Sequence, residues 1–181
     1  PGEIVAQVLV MGGFHHWEDE GFNLVLMGMG EPLANYAAVL ESIRILHDPL
    51  GLNVGARRIT VSTAGLVPQI ERLAGENLAL GLALSLHATT DELRDVLVPV
   101  NRRWPLAQLL PAVQAYGLRT GRRVSLEYTL LAGVNDSAED ADRLAAIARD
   151  LPSKINLIPY NPVPGLPYRR PSPEAVQAFA A

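Results

Sequence analysis

The stretch Asn23-Leu24-Val25-Leu26-Met27-Gly28-Met29-Gly30-Glu31-Pro32-Leu33 decides how the rest of the chain is read. Its apolar start suits one short strand covered on both faces, and it ends in glycines, a carboxylate and a proline. Gly28 and Gly30 leave the backbone bare, so a ligand can approach it closely. Glu31 stands where the strand opens into a loop, and Pro32 fixes the direction of exit. In parallel sheets and barrels, ligands collect at the carboxyl ends of the strands. Turn chemistry alone offers a second reading, in which Glu31 merely caps the segment that follows.

Working outward, Pro1 to Val10 has the apolar stripe of a helix, and Gly12 to Gly21 is a polar loop. That loop carries His15, His16, Trp17 and the acids Glu18 to Glu20, which reads as a solvated turn before it reads as a metal site. After the glycine-ended strand, Asn35 is placed to cap a helix running to about His47. Arg57 to Thr63 makes the next strand, followed by a helix from Val67 to Ala74. Ser62 and Thr63 at that strand's end either contact a ligand or cap the next helix. Asn77 to Leu86 is a nearly unbroken apolar strand closed by Ser85 and His87. Asp91 opens an acidic helix start, and a further helix runs to about Tyr116. Arg123 to Leu131 is a fourth strand, Ala138 to Asp150 an amphipathic helix, and Ser153 to Pro159 a fifth strand. A last helix starts after Pro173. Strands alternating with helices predict parallel βαβ units in one domain spanning residues 1–181. Five strands are too few to close an eight-stranded barrel, so the sheet is either open or a partial barrel.

The 181 residues are 49% hydrophobic and 19% charged, which suits a globular unit with a sizeable core. No apolar run is long enough to span a membrane. A net charge of −4 argues against a broad basic face for nucleic acid, although arginine doublets stand at 57–58, 102–103, 122–123 and 169–170. Arg102, Arg103 and Trp104 together offer phosphate and base-stacking chemistry, or simple packing. The chain has no cysteine, which excludes disulfides and thiolate metal ligands within these residues. A cytoplasmic location is the simplest expectation.

Six ordered motifs then carry a resemblance. They are M-G-M-G-E-P-L at 27–33, I-T-V-S-T-A-G at 59–65, L-S-L-H-A at 84–88, D-E-L-R-D-V-L-V-P-V-N at 91–101, L-E-Y-T-L-L-A-G-V-N-D at 126–136 and K-I-N-L-I-P-Y-N-P at 154–162. The set resembles the radical S-adenosylmethionine (SAM) RNA methyltransferases that methylate C2 of an adenine in 23S rRNA and in some tRNAs. A relative that methylates C8 of the same adenine shares these motifs. The resemblance implies a partial (β/α) TIM-like barrel of radical SAM type, truncated at both ends. It places Gly30 and Glu31 at the methionine moiety of SAM, with Ser62, Ser85, Leu86, His87 and Asn161 as further SAM contacts. An α-amino group calls for carboxylate and carbonyl acceptors, while ribose and adenine call for Ser, His and Asn.

The family's chemistry, as the resemblance implies it, needs a [4Fe–4S] cluster on three cysteines and a methylated cysteine near the C-terminus. Thiolates bind such a cluster, and this chain has none. The expectation is therefore a central fragment without the cluster loop, the C-terminal strand or the RNA-binding domain, inactive alone. Its partners would be 23S rRNA and tRNA, and uncovered sheet edges would favour self-association. Two other readings stay in view. One is a non-catalytic barrel that binds SAM or RNA; the other is an enzyme using Glu31 and His87 as acid and base.

Overall fold

The computed structural model describes residues 1–13 and 22–181. His15, His16, Trp17 and the acids beside them therefore lie outside the described residues. The element order is α1 (Gly2–Gly13), β1 (Leu24–Leu26), α2 (Tyr36–His47), β2 (Ile59–Thr63), α3 (Val67–Ala74), β3 (Gly81–Ser85), α4 (Asp91–Leu97), α5 (Leu106–Thr120), β4 (Val124–Leu130), α6 (Ala138–Asp150), β5 (Ser153–Pro159) and α7 (Pro173–Ala180). Among the described residues, five strands form one sheet in the order β1-β2-β3-β4-β5, every neighbouring pair parallel. Sequential parallel neighbours joined by helices are how a (β/α) barrel is wound, so the sheet is a partial barrel of that type.

Period-two alternation gives the sheet two unlike faces. The outer face carries Ile59, Val61, Leu82, Leu84, Leu126, Tyr128 and Leu130, each no more than 1% exposed. Ile70 of α3 and Leu109, Val113 and Tyr116 of α5 join the same core. The Tyr116 hydroxyl donates to the Leu80 carbonyl (3.0 Å), so its one polar atom is satisfied inside. The inner face is polar and small. In register across it run Thr60 and Gly81, then Ser62, Ala83, Ser125 and Lys154, then Ser85, Glu127 and Asn156. At Gly81 a Cβ would lie 2.5 Å from Thr60 Oγ1, so only glycine lets those two strands pair here.

Boundaries follow local chemistry. Ser137 and Asp140 form a reciprocal capping box at the start of α6. Gly121 caps α5 in the left-handed conformation at φ 64°, so the helix runs to Thr120 and not only to about Tyr116, where the sequence reading stops it. The first strand shortens to Leu24–Leu26, because Met27 to Gly30 already belong to the turn. Asn35 stands before α2 but makes no capping bond. A 3-10 turn over Pro32–Asn35 leads straight into the helix, and Glu31 caps that turn instead.

Candidate functional site

The carboxyl ends of all five strands share one edge of the sheet, and the residues expected to hold a ligand lie there. Beyond β1, Gly28 (φ 124°) and Gly30 (φ 101°) take backbone conformations that side chains rarely allow. A Cβ at either would meet nothing within 4 Å, so these glycines serve conformation and leave open space over the backbone. Gly30, with Leu26, Met27, Met29, Glu31, Pro32 and Asn35, lines a cleft of about 300 Å³. A larger apolar hollow of about 450 Å³, walled by Ile4, Val8, Met11, Phe22 and Leu24, lies against α1 and β1 and holds none of the expected contact residues.

Glu31 is fastened in two directions. Its Oε1 accepts from the Leu33 N–H (2.9 Å) and its Oε2 from the Ala64 N–H (2.6 Å). The capping role offered by turn chemistry is thus present, and Glu31 also ties β1 to the end of β2. A carboxylate has about four lone-pair sites, so two backbone bonds leave acceptor capacity for a cation. Ser62 faces the inner side, half-buried, while Thr63 faces the covered side. The Thr63 hydroxyl accepts from the Gly65 N–H (3.0 Å) and shapes the turn into α3. Of the two hydroxyls at this strand end, the one on Thr63 takes the local turn-shaping role that the sequence offered.

At the end of β3 the chain is held more tightly. His87 has φ 56°, unusual for a non-glycine residue. Its N–H donates to the Glu127 carbonyl (3.2 Å), and its own carbonyl accepts from Asn135 Nδ2 (2.8 Å). Its Nδ1 accepts from the Thr129 N–H (3.1 Å). That last bond puts the ring proton on Nε2 and makes the imidazole a donor at its outer nitrogen. Burial, with the nearby Arg94 charge, pushes the His87 pKa down to about 4. Leu86 is fully buried, with its N–H given to the Glu127 carbonyl and its carbonyl accepting from Arg94. Asn161, exposed beyond β5, accepts from Arg170 through Oδ1 (2.7 Å). Glu31 and His87 are each tied to backbone N–H donors, Glu31 through both carboxylate oxygens and His87 through Nδ1.

Three residues that the sequence reading passed over organise this edge. Arg94 of α4 is fully buried. It donates to the carbonyls of Leu86 (3.1 Å), Ala64 (2.7 Å) and Ser85 (3.0 Å) and to Asn101 Oδ1 (2.9 Å). Burial pulls its pKa down to about 10, partly opposed by Asp91 and Asp95. Asn135 is also fully buried, binding the Leu131 N–H, the His87 carbonyl and the Thr129 carbonyl. Glu127, 6% exposed, accepts from Ser125 Oγ and from Asn156 Nδ2 (2.6 Å). Glu127 and Asn156 were detectable as polar residues recurring at every second position of otherwise apolar strands. Arg94 was not, because its flanking Asp91 and Asp95 make the segment look like a solvated helix face. In the Arg102–Trp104 patch, Trp104 is half-buried against the core, and the Arg103 guanidinium lies 4.7 Å from its ring centre.

The model of the Radical SAM superfamily matches residues 7–145. The chain is 54% identical to a dual-specificity RNA methyltransferase RlmN from Anaeromyxobacter sp., over 99% of this chain and 49% of that protein. It is 53% identical to a probable dual-specificity RNA methyltransferase RlmN from Symbiobacterium thermophilum, over 98% of this chain and 48% of that one. The chain thus spans about half the length of the curated relatives it matches. A crystal structure of a radical SAM methyltransferase from Sphaerobacter thermophilus superposes with a TM-score of 0.93 at 51% identity, covering 98% of this chain and 52% of that one. A domain of pyruvate-formate lyase-activating enzyme from Bacteroides vulgatus, 19% identical with a TM-score of 0.61, shares the fold over 88% of this chain and 91% of that one.

Proposed function

Since the chain belongs to the radical SAM superfamily, we propose that its strand-end edge is the SAM-holding part of an RNA methyltransferase. Members of that superfamily bind SAM and a [4Fe–4S] cluster. The observation that carries the proposal is the alignment of Gly30, Glu31, Ser62, Ser85, His87 and Asn161 along one edge of a single parallel sheet. In this reading the open backbone at Gly28 and Gly30 admits the methionine end of SAM, and the spare lone pairs of Glu31 take its ammonium. Ser62, Ser85 and Asn161 serve the nucleoside, and Leu86 acts through the backbone joining Ser85 to His87. His87 donates from Nε2. SAM fits this edge because the edge combines a free carboxylate capacity, a one-sided donor and several hydroxyl or amide groups.

The cluster does not fit the residues present. The sequence has no cysteine, and among the described residues no three His, Cys, Asp or Glu side chains are grouped to hold a metal. Its ligands would lie outside these residues, and the chain alone is proposed to be inactive. The substrate proposed for the whole protein is an adenine of 23S rRNA, with tRNA as a second RNA, methylated at C2. The relatives' name, dual-specificity RNA methyltransferase, supports the two-RNA reading. Calorimetric titration with SAM tests the binding half: saturable binding is expected, and a flat isotherm would reject it. Mass analysis of RNA treated with a full-length relative carrying this segment distinguishes 2-methyladenosine from 8-methyladenosine.

A further inference from the structure

The inner face carries a polar row that begins at the expected contact Ser85 and continues through two residues outside the expected set, Glu127 and Asn156. Ser85, Glu127 and Asn156 sit side by side on β3, β4 and β5, because Ser85 pairs in register with Glu127 and Glu127 with Asn156. Level with the end of β3, the row lies at the depth where a ligand held by Ser85 would reach. Glu127 is almost wholly buried, yet both of its carboxylate oxygens are used: Oε1 accepts from Ser125 Oγ and Oε2 from Asn156 Nδ2. A carboxylate only accepts, so it fixes which end of the Asn156 amide faces it. With Nδ2 committed to Glu127, the carbonyl oxygen Oδ1 is turned the other way. Asn156 is exposed, so that oxygen is accessible from the inner side.

A strand interior is an unusual place for a carboxylate, which must be hydrogen-bonded to be tolerated there. An apolar pair would fill the same space without that requirement. The arrangement makes chemical sense if it aims an acceptor at a donor on the ligand. A ribose diol is such a donor: its hydroxyls seek acceptors, and acidic or amide oxygens beside a nucleotide commonly receive them. We propose that Asn156 Oδ1 accepts a hydrogen bond from the ribose diol of SAM, and that Glu127 is the positioning residue that holds the amide in that orientation. This inference rests on the SAM-binding reading given above.

The test is calorimetric titration of the 181-residue chain with SAM and with its 2′,3′-dideoxyribose analogue, alongside melting curves for every variant. Asn156→Ala is expected to weaken SAM by up to about tenfold, the worth of one hydrogen bond, and to leave the analogue unaffected. Glu127→Met, which keeps the shape and removes the acceptor, is expected to lower SAM affinity to the Asn156→Ala level. In the Asn156→Ala background it should add no further loss, and Glu127→Gln, which still offers Asn156 an acceptor, should restore binding. A purely structural Glu127 would instead lose affinity equally with or without Asn156, and for both ligands. SAM binding unchanged by Asn156→Ala overturns the inference while sparing the SAM reading. Absence of SAM binding by the parent chain overturns both.

Discussion

Glu31 and Arg94 grip one residue from opposite sides: the Ala64 N–H donates to Glu31 Oε2 (2.6 Å), and the Ala64 carbonyl accepts from Arg94 Nη2 (2.7 Å). Through that peptide, the loop after β1, the end of β2 and the end of β3 form one connected edge. Arg94 continues the chain of contacts to Ser85 and Leu86, and Leu86 continues it to Glu127 on β4. Glu31, Ser85, Leu86 and His87 are therefore held by a shared network, and their substitution has structural consequences.

Removing the Glu31 side chain leaves the Leu33 and Ala64 N–H groups without their acceptors. Glu31→Ala is expected to lower unfolding free energy by about 1–3 kcal/mol and to weaken SAM as well. Glu31→Gln, which keeps one acceptor oxygen, should recover part of the stability but not the ammonium contact. Urea unfolding and SAM titration of the two variants check this; equal stability of Glu31→Ala and the parent would contradict the network described.

Arg94→Met is predicted to be among the most damaging single changes, because it takes donors away from the Ala64, Ser85 and Leu86 carbonyls and the Asn101 amide oxygen in a buried site, while the Leu86 carbonyl keeps a further donor in the Ala88 N–H (2.8 Å). A loss of roughly 3–5 kcal/mol is expected, the range for breaking a buried charged network. Arg94→Lys should recover only a fraction, since one ammonium cannot span four acceptors in a fixed fork. Midpoints of chemical denaturation rank the three proteins.

His87 makes stability depend on pH. Burial first, and the Arg94 charge second, hold its pKa near 4 against an ordinary 6.5, with Glu127 opposing. The unfolded chain therefore binds a proton before the folded one does as pH falls. The contribution is complete above pH 6.5 and is lost between there and pH 4, up to about 3 kcal/mol in total. His87→Asn tolerates the left-handed backbone and places an acceptor towards Thr129, so its unfolding free energy should lose less over the same window. Parallel curves for the two proteins from pH 7 to 4.5 would remove the histidine from the account.

Gly30→Ala separates conformation from packing. Nothing lies within 4 Å of the added Cβ, so the expected loss of about 1–3 kcal/mol comes from backbone strain at φ 101°. If the loop relaxes instead, stability will hold while SAM affinity falls. Melting curves measured with and without SAM distinguish a strained folded state from a rearranged loop.

Iron and acid-labile sulfide, measured after anaerobic reconstitution and desalting, should be at background for this chain. The reason is compositional: cluster irons need thiolate ligands, and the sequence supplies none. Stoichiometric uptake of four irons would show that other side chains hold the cluster.

The alternation of strands and helices, the parallel sheet and the polar strand ends were legible in the letters, because each is local. Glycine pairs, apolar runs and capping residues act within a few positions of themselves. The β5 limits at Ser153 and Pro159 and those of α3 at Val67 and Ala74 were readable for that reason. The double duty of Glu31 was only half visible. Its cap to Leu33 is two residues away, but its bond to Ala64 is thirty-three away and depends on β1 lying beside β2.

Sequence by itself determined the periodicity, and so which faces of the strands are apolar, together with the absence of any thiolate. Tertiary structure alone decided the partners: that Arg94 is buried despite its acidic neighbours, that the His87 proton sits on Nε2, and that Glu127 turns the Asn156 amide. Those outcomes depend on register between strands and on desolvation by distant elements. Neither is encoded in a residue's own neighbourhood.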